Sequence, residues 1–383
     1  MTLKYQIYAR NLNMEREGVI ADYQSAQFKL RFLDVGTWEI VVDRTRPEAV
    51  WLSTPGWGIE VVLNIDDTTQ VPLISGPIHS RKHAKATDSN TLTATGYSDE
   101  VYLKWRLAHP SPAESFPPYN LQADDVRTGV ASTVIRAYVN VNLGPGAIAP
   151  RRVPGLTIGT DPVVGASITG RARWNPLLPF LQDLAESGGI GFNVTMVAGV
   201  PVFNTYAVTD HSTDVILSEA LGNLQSWDYS SESPETTYVF VGGQGDGTAR
   251  TFVDFPDPDP MITWGRREAL VDKTDTTDTT ELHQGGTDYL VQHAEKAGLS
   301  ITPVDTASCV YGRDYALGDR ITVQLEGPAA PVTEIVREVG INLTPGGPQT
   351  MTPVIGTPSA PLIYRLFRTY RETMRRLSNL ERR

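Results

Sequence analysis

The chain has 383 residues, 40% hydrophobic and 20% charged, with a net charge of −11 from 33 Lys and Arg against 44 Asp and Glu. This composition excludes wholesale disorder, and no apolar run approaches the roughly 20 residues that span a bilayer. The acidic balance argues against a surface that binds nucleic acid, and Cys309, the single cysteine, excludes an internal disulfide or a Cys-ligated metal centre.

The length predicts two or three folding units. With 33 Gly and 27 Pro, the chain is punctuated into short runs that favour strands and turns. Residues 1 to 107 read as all-β. Tyr5, Ile7 and Ala9 alternate, as do Phe28, Leu30 and Phe32, and further strands are expected at Trp38 to Val42, Gly58 to Leu63, Val71 to Ile78 and Thr91 to Tyr97. The start, Met1-Thr-Leu-Lys-Tyr-Gln-Ile-Tyr8, lacks the form of a signal peptide.

Residues 108 to 212 predict an interposed α+β unit. Val126, Val130, Val134 and Tyr138 recur every four residues and suggest an amphipathic helix. A second helix is expected from an Asn175 cap through Leu177, Phe180, Leu181 and Leu184 to a stop at Gly188-Gly189. Strands follow around Phe192 to Ala198 and Val200 to Val208. Residues 213 to 257 return to β, with Thr236 to Val241 and Ala249 to Phe255. Residues 258 to 304 are an inserted polar segment in which Thr280 caps a helix running to about Ala297 and joining the interposed unit. Residues 305 to 358 are β again, and 359 to 383 form one helix.

Two β segments echo each other. Gly58-Ile-Glu-Val-Val-Leu63 precedes Val71-Pro-Leu-Ile-Ser-Gly-Pro-Ile78 much as Gly318-Asp-Arg-Ile-Thr-Val-Gln-Leu325 precedes Val332-Thr-Glu-Ile-Val-Arg-Glu-Val339. Chance similarity between β segments and a duplicated β-barrel both account for this. Two barrels per chain in a trimer would give six similar units around one axis. In the last segment Ile363, Phe367, Tyr370, Met374 and Leu377 are spaced 4, 3, 4 and 3, as in the seam of a short coiled coil or the docked face of an amphipathic helix. Seven arginines against two glutamates between 361 and 383 make this segment +5, which leaves −16 on the rest.

No motif argues for an enzyme. Gly242-Gly-Gln-Gly-Asp-Gly-Thr248 lacks the Lys-Ser/Thr ending of a phosphate loop and lies between two expected strands, so Gly242, Gly243, Gln244, Gly245 and Asp246 read as a tight hairpin or interface turn. His79 and His83 lie on an expected strand, which does not bring them together as metal ligands. Asp254, Asp257 and Asp259, and likewise Asp272, Asp275 and Asp278, lack the spacing of a calcium loop. His211, Ser212 and Asp214 are sequence neighbours, whereas triads converge from distant positions. Trp51 and Trp57 are the candidates for a sugar-binding platform, with core or interface roles as the simpler reading, and Cys309 reads as a buried structural thiol. No catalytic residue, cofactor or metal is expected.

Several segments together carry a family resemblance: Gly96-Tyr-Ser-Asp-Glu100; Leu103-Lys-Trp-Arg-Leu-Ala-His-Pro110; Ser230 to Arg250, which includes Ser230-Ser-Glu-Ser-Pro-Glu235; Tyr315-Ala-Leu-Gly-Asp-Arg320; and Val354-Ile-Gly356 before a helix. The chain resembles the tail proteins of siphophages infecting actinobacteria, which belong with the baseplate-hub, or tail-hub, proteins. The resemblance implies a mainly β fold with α+β insertions. Two related β-barrel domains (1–107, and 213–257 with 305–358) would form a pseudo-sixfold ring in a homotrimer, with a C-terminal helix at 359–383. It implies a virion protein of the tail tip, made in the host cytoplasm. Its partners would be the distal tail protein or tail tube protein, the tape-measure protein and other tail-tip proteins, with DNA passing through the lumen without specific binding. A tail-associated protein that binds the cell wall or hydrolyses peptidoglycan is the alternative.

Overall fold

The computed structural model describes residues 4–65, 70–274, 276–304, 306, 309–325, 331–345 and 350–356. The N-terminal unit comprises β1 (Lys4–Arg10), β2 (Arg16–Val19), β3 (Tyr23–Arg31), β4 (Thr37–Asp43), α1 (Glu48–Ser53), β5 (Gly58–Asn64), β6 (Gln70–Lys85), β7 (Asn90–Tyr97) and α2 (Val101–Lys104). The period-2 alternation has the expected outcome: Ala26, Phe28 and Leu30 of β3 and Trp38, Ile40 and Val42 of β4 are buried, while their neighbours face outward. Trp51 lies over Gly18 at the edge of this core, so it is a packing residue and not a sugar platform.

The interposed unit contains β8 (Leu107–Ala108), β9 (Asp125–Val130), α3 (Ala131–Asn142), β10 (Thr157–Ile158), β11 (Ser167–Ala172), β12 (Asn175–Pro176), α4 (Leu177–Gly188), β13 (Ile190–Val197) and β14 (Val200–Ala207). Its core packs Val134, Ile135 and Tyr138 of α3 against Leu177, Leu181 and Leu184 of α4 and Phe192 and Phe203 of the β13–β14 hairpin. Two expectations need correction here. Val126 and Val130 belong to β9, paired with β11, because a spacing of four also keeps residues on one face of a strand. Asn175 does not cap α4: its Oδ1 accepts the Arg173 N–H at 2.8 Å, and Pro176 occupies the cap position. The expected stop holds, with Gly189 left-handed at φ 66°.

The remaining elements are β15 (Ile216–Ser218), β16 (Leu224–Glu232), β17 (Tyr238–Gly242), β18 (Phe252–Pro256), α5 (Pro258–Trp264), β19 (Glu268–Asp272), α6 (Thr279–Gln292), β20 (Lys296–Pro303), β21 (Arg320–Gln324), β22 (Val332–Leu343) and β23 (Thr350–Gly356). Thr236 to Val241 and Ala249 to Phe255 do not join the second large β unit. They supply a separate three-stranded sheet, β18-β17-β19, packed on α6 through Val239, Val241 and Leu282. The cap of α6 is Asp278, whose Oδ1 accepts the Thr280 N–H at 2.8 Å. The helix stops at Gln292, and Lys296–Pro303 is a strand between β16 and β23.

The large sheet has thirteen strands, with β16-β20-β23-β22-β3-β4-β7-β6-β5-β1-β2 as its main path and β15-β21 attached to β22. The expectation of two closed barrels is not met: among the described residues the strands form one open sheet. The halves join because Glu338–Leu343 of β22 pairs with β23 along one edge and with Ala26–Arg31 of β3 along the other. Both halves contribute to one hydrophobic core.

Within this sheet the order β5-β6-β7-β4-β3 repeats as β21-β22-β23-β20-β16, every neighbouring pair antiparallel. Two of the three register irregularities in the first series repeat, while that between Val61 and Val62 has no counterpart in the described β21–β22 ladder. That between Ile78 and Ser80 corresponds to that between Val336 and Glu338, and that between Tyr23 and Ser25 to that between Leu224 and Ser226. Bulges are particular features of a strand pair, so their recurrence in one topological order favours an internal repeat over chance similarity, although the repeated units are strand series of one open sheet and not the duplicated barrels expected. The alignment of the echo shifts slightly: Gly58, opposite Pro77, is the counterpart of Arg320, opposite Ile335, and not of Gly318.

Candidate functional site

The glycine-rich segment lies in the connection between β17 and β18, which runs from Gly243 to Thr251 and is longer than the tight hairpin expected. Gly245 and Gly247 have φ of 117° and 54°, backbone conformations that L side chains rarely adopt. The Arg250 guanidinium folds back over the turn, donating to the carbonyls of Gly243 (3.0 Å) and Gly242 (3.1 Å) and pairing with Asp272 at 2.5 Å. A side chain at Gly242 would collide with Arg250, so the glycine permits this closure. Gln244 ties the turn to the segment before α6, its N–H donating to the Thr276 carbonyl at 2.9 Å.

One face of the small sheet is covered by α6, and the opposite face carries Tyr238, Phe240, Phe252 and Leu270. Arg266 lies 3.6 Å from the Tyr238 ring centroid and Arg250 lies 5.1 Å from that of Phe252. Phe252 and Leu270 remain half exposed. The hairpin and this mixed aromatic and cationic face form a candidate contact surface for another protein. α6 secures the small sheet to the interposed unit: Arg171 pairs with Glu281 at 2.9 Å, and Ser187 donates to Asp288 at 2.5 Å.

A second constellation lies inside the molecule, in the Gly96–Glu100 segment that carried the family resemblance. Asp99 accepts two bonds from the Arg10 guanidinium (2.5 and 2.8 Å) and one from the Ser75 hydroxyl at 2.5 Å, all buried. The next residue, Glu100, reaches the interposed unit, where its Oε1 accepts the Val194 N–H at 2.8 Å. Burial pushes the Glu100 carboxyl up to about 7, against the lowering effect of hydrogen bonds from Ser98 and Val194. Beside it is a cavity of about 180 Å³ between β3, β6, the β13–β14 hairpin and the Tyr311–Leu317 segment. Glu100 is the one carboxyl among its lining residues, and no histidine or cysteine lines it. Neither Asp99 nor Glu100 had a role assigned from sequence. Two adjacent carboxylates entering a short helix were the available signal, but their partners are distant in the chain.

The other candidates fall in separate places. His79 of β6 lies against the Tyr97 ring, 4.6 Å between centroids and tilted by 40°. Asp254 contacts the Tyr238 hydroxyl, Asp272 pairs with Arg250, and Asp278 caps α6, so these carboxylates have structural partners. Among the described residues no group of three or more His, Cys, Asp or Glu is placed to hold a metal. His211 lies 3.9 Å from Asp319, and Cys309 is buried in the large core. Ile363, Phe367, Tyr370, Met374 and Leu377, like Asp275, lie outside the described residues.

Three solved structures share this fold over nearly their whole length. The tail protein from Neisseria meningitidis MC58 is 14% identical at a TM-score of 0.59, covering 92% of this chain and 96% of that one. The 43 kDa tail protein of prophage MuSo2 from Shewanella oneidensis is 10% identical at 0.59, covering 92% and 98%. Prophage tail protein gp18 from Listeria monocytogenes EGD-e is 10% identical at 0.56, covering 96% and 98%. Among curated proteins none matches the chain. A family profile matches residues 5–357, almost the whole described fold, and bears out the resemblance read from sequence: the chain belongs to the Siphovirus ReqiPepy6 Gp37-like protein family.

Proposed function

We propose that the protein is a structural component of the siphophage virion tail. In this reading it is a trimeric hub in which two related β units from each of three chains alternate around one axis, joining a sixfold tail tube or distal tail protein to a threefold tip. The internal duplication carries the reading. Two like units per chain, repeating strand order and bulge positions, supply six like surfaces from three chains. Family membership and the shared fold of three tail proteins support a place in the tail.

In this reading the protein acts by shape. The described cavity beside β6 holds one buried carboxyl, Glu100, which is bonded to backbone and raised towards neutrality. DNA and the tape-measure protein would pass through the ring. The net charge of −11 disfavours a grip on phosphate, which requires cations to displace counterions. The face around Tyr238, Phe240 and the glycine hairpin would receive another tip protein.

Light scattering of the purified chain tests the reading. A mass near 126 kDa, three times 41.9 kDa, is expected. A monomer at every concentration, or release of soluble fragments from purified host cell wall, would overturn it.

A further inference from the structure

The duplication has one asymmetry. In the second half, Glu338–Leu343 of β22 is paired on both edges, by β23 and by β3. Its counterpart in the first half, Ser80–Lys85 of β6, is paired by β7, and no described strand lies on its other edge. The counterpart of β3 is β16, paired by β20 with no described strand beyond it. Among the described residues one half therefore has an open acceptor edge and the other an open donor edge, each corresponding to a member of the β3–β22 seam.

We infer that the donor edge, β16 of one copy, adds to the acceptor edge, Ser80–Lys85 of β6, of a second copy of this chain, in the register of the β3–β22 seam. Within the seam Ile341 faces Phe28, Asn342 faces Gln27 and Leu343 faces Ala26. Matched bulges carry this pattern across: His83 would face Tyr229, Ala84 would face Asp228 and Lys85 would face Trp227.

The chemistry fits that pairing. Ala26 and Phe28, which lie in the seam and pack into the large core, are 0% and 2% exposed, whereas Trp227 and Tyr229 at the corresponding positions are 38% and 43% exposed. His79 to Lys85 is exposed along its length and bears Arg81, Lys82 and Lys85 with no carboxylate. β16 bears Asp228 and Glu232 with no cation. In the inferred register Lys82 is a diagonal neighbour of Asp228 on one face, and His83 and Lys85 meet the two aromatic rings on the other. A long exposed edge carrying aromatics is a template for another strand, and its complement is on the same chain. The contact is head to tail, so it propagates until a ring closes. The inference rests on the ring reading for the number of copies but not for the pairing.

Disulfide trapping in the full chain tests it. The double variants His83→Cys with Tyr229→Cys and Ala84→Cys with Asp228→Cys place cysteines directly opposite; His83→Cys with Asp228→Cys places them on opposite faces. After mild oxidation, covalent multimers are expected from at least one of the first two and at least tenfold less from the third. Reduced variants should melt with the wild type, since these positions are exposed. Lys82→Glu should weaken association about threefold, and Asp228→Lys added to it should restore association. Failure of both opposed pairs to cross-link, or equal cross-linking by the mismatched pair, overturns the edge pairing. The mass of the unmodified chain reports separately on the trimeric reading.

Discussion

Arg10 on β1 and Asp99 at the entrance to α2 form a bidentate ion pair, with side chains 2% and 0% exposed, at the junction of the N-terminal and interposed units. Arg10 also contacts the Met196 sulfur of β13, and Ser75 completes the carboxylate's hydrogen bonds. The node is polar, satisfied and sealed.

Removing one partner leaves the other charge stranded without water. Arg10→Met should therefore destabilise the protein by about 3–5 kcal/mol, read from the urea midpoint. Arg10→Met with Asp99→Asn should recover part of the loss, because the uncompensated anion is gone. Equal destabilisation by the single and double variants would show that the guanidinium acts by packing alone.

Glu100 adds a pH dependence of defined sign. Its carboxyl is raised by burial from 4.5 to about 7, so between those values the folded chain holds a proton that the unfolded chain has released. Its stabilising contribution is fully present below about 4.5 and is lost as pH rises through about 7. At one kcal/mol and a third for each pKa unit, the loss is at most about 3 kcal/mol. Glu100→Gln, which keeps an acceptor for the Val194 N–H, should lose this slope between pH 5 and pH 8 in urea melts.

Gly76 lies in β6 where the strand passes from β5 to β7, and a Cβ there would overlap the Tyr97 carbonyl oxygen. Backbone cannot swing aside as a side chain can, so Gly76→Ala should cost about 1–3 kcal/mol or more. Gly222→Ala is the contrast: φ is 70° but no atom lies within 4 Å, and strain of about 1–2 kcal/mol is expected. Thermal melts of the two separate steric overlap from backbone strain.

Much of the fold was legible because alternation is local. β3, β4, β5, β13 and β14 were each expected within a few residues, as was the α4 face of Leu177, Leu181 and Leu184. Partnership was not legible. Nothing in the local pattern says that Arg31 meets Glu338, or that Arg10, 89 residues away, meets Asp99. Val126 misled because a spacing of four serves both a strand and a helix, and Lys296–Pro303 because its polar start continued a helical run. A change of chain direction near Gly242–Asp246 was readable from glycine chemistry, whereas the edges of β6 and β16 depend on how distant strands pair.

The seam between the halves offers a last test of what holds it. Glu338 of β22 reaches both Lys29 (2.9 Å) and Arg31 (3.0 Å) of β3, yet all three side chains are partly solvated. Such pairs contribute little, so Glu338→Gln should cost less than about 1 kcal/mol, and less still in high salt. Ile341, opposite Phe28, is 1% exposed in the shared core. Truncation there opens a cavity, and Ile341→Ala should cost about 2–5 kcal/mol with no salt dependence. If the order of the two effects were reversed in urea melts, charge and not apolar packing would hold the halves together, and the apolar and aromatic match inferred between β6 and β16 would lose its closest precedent.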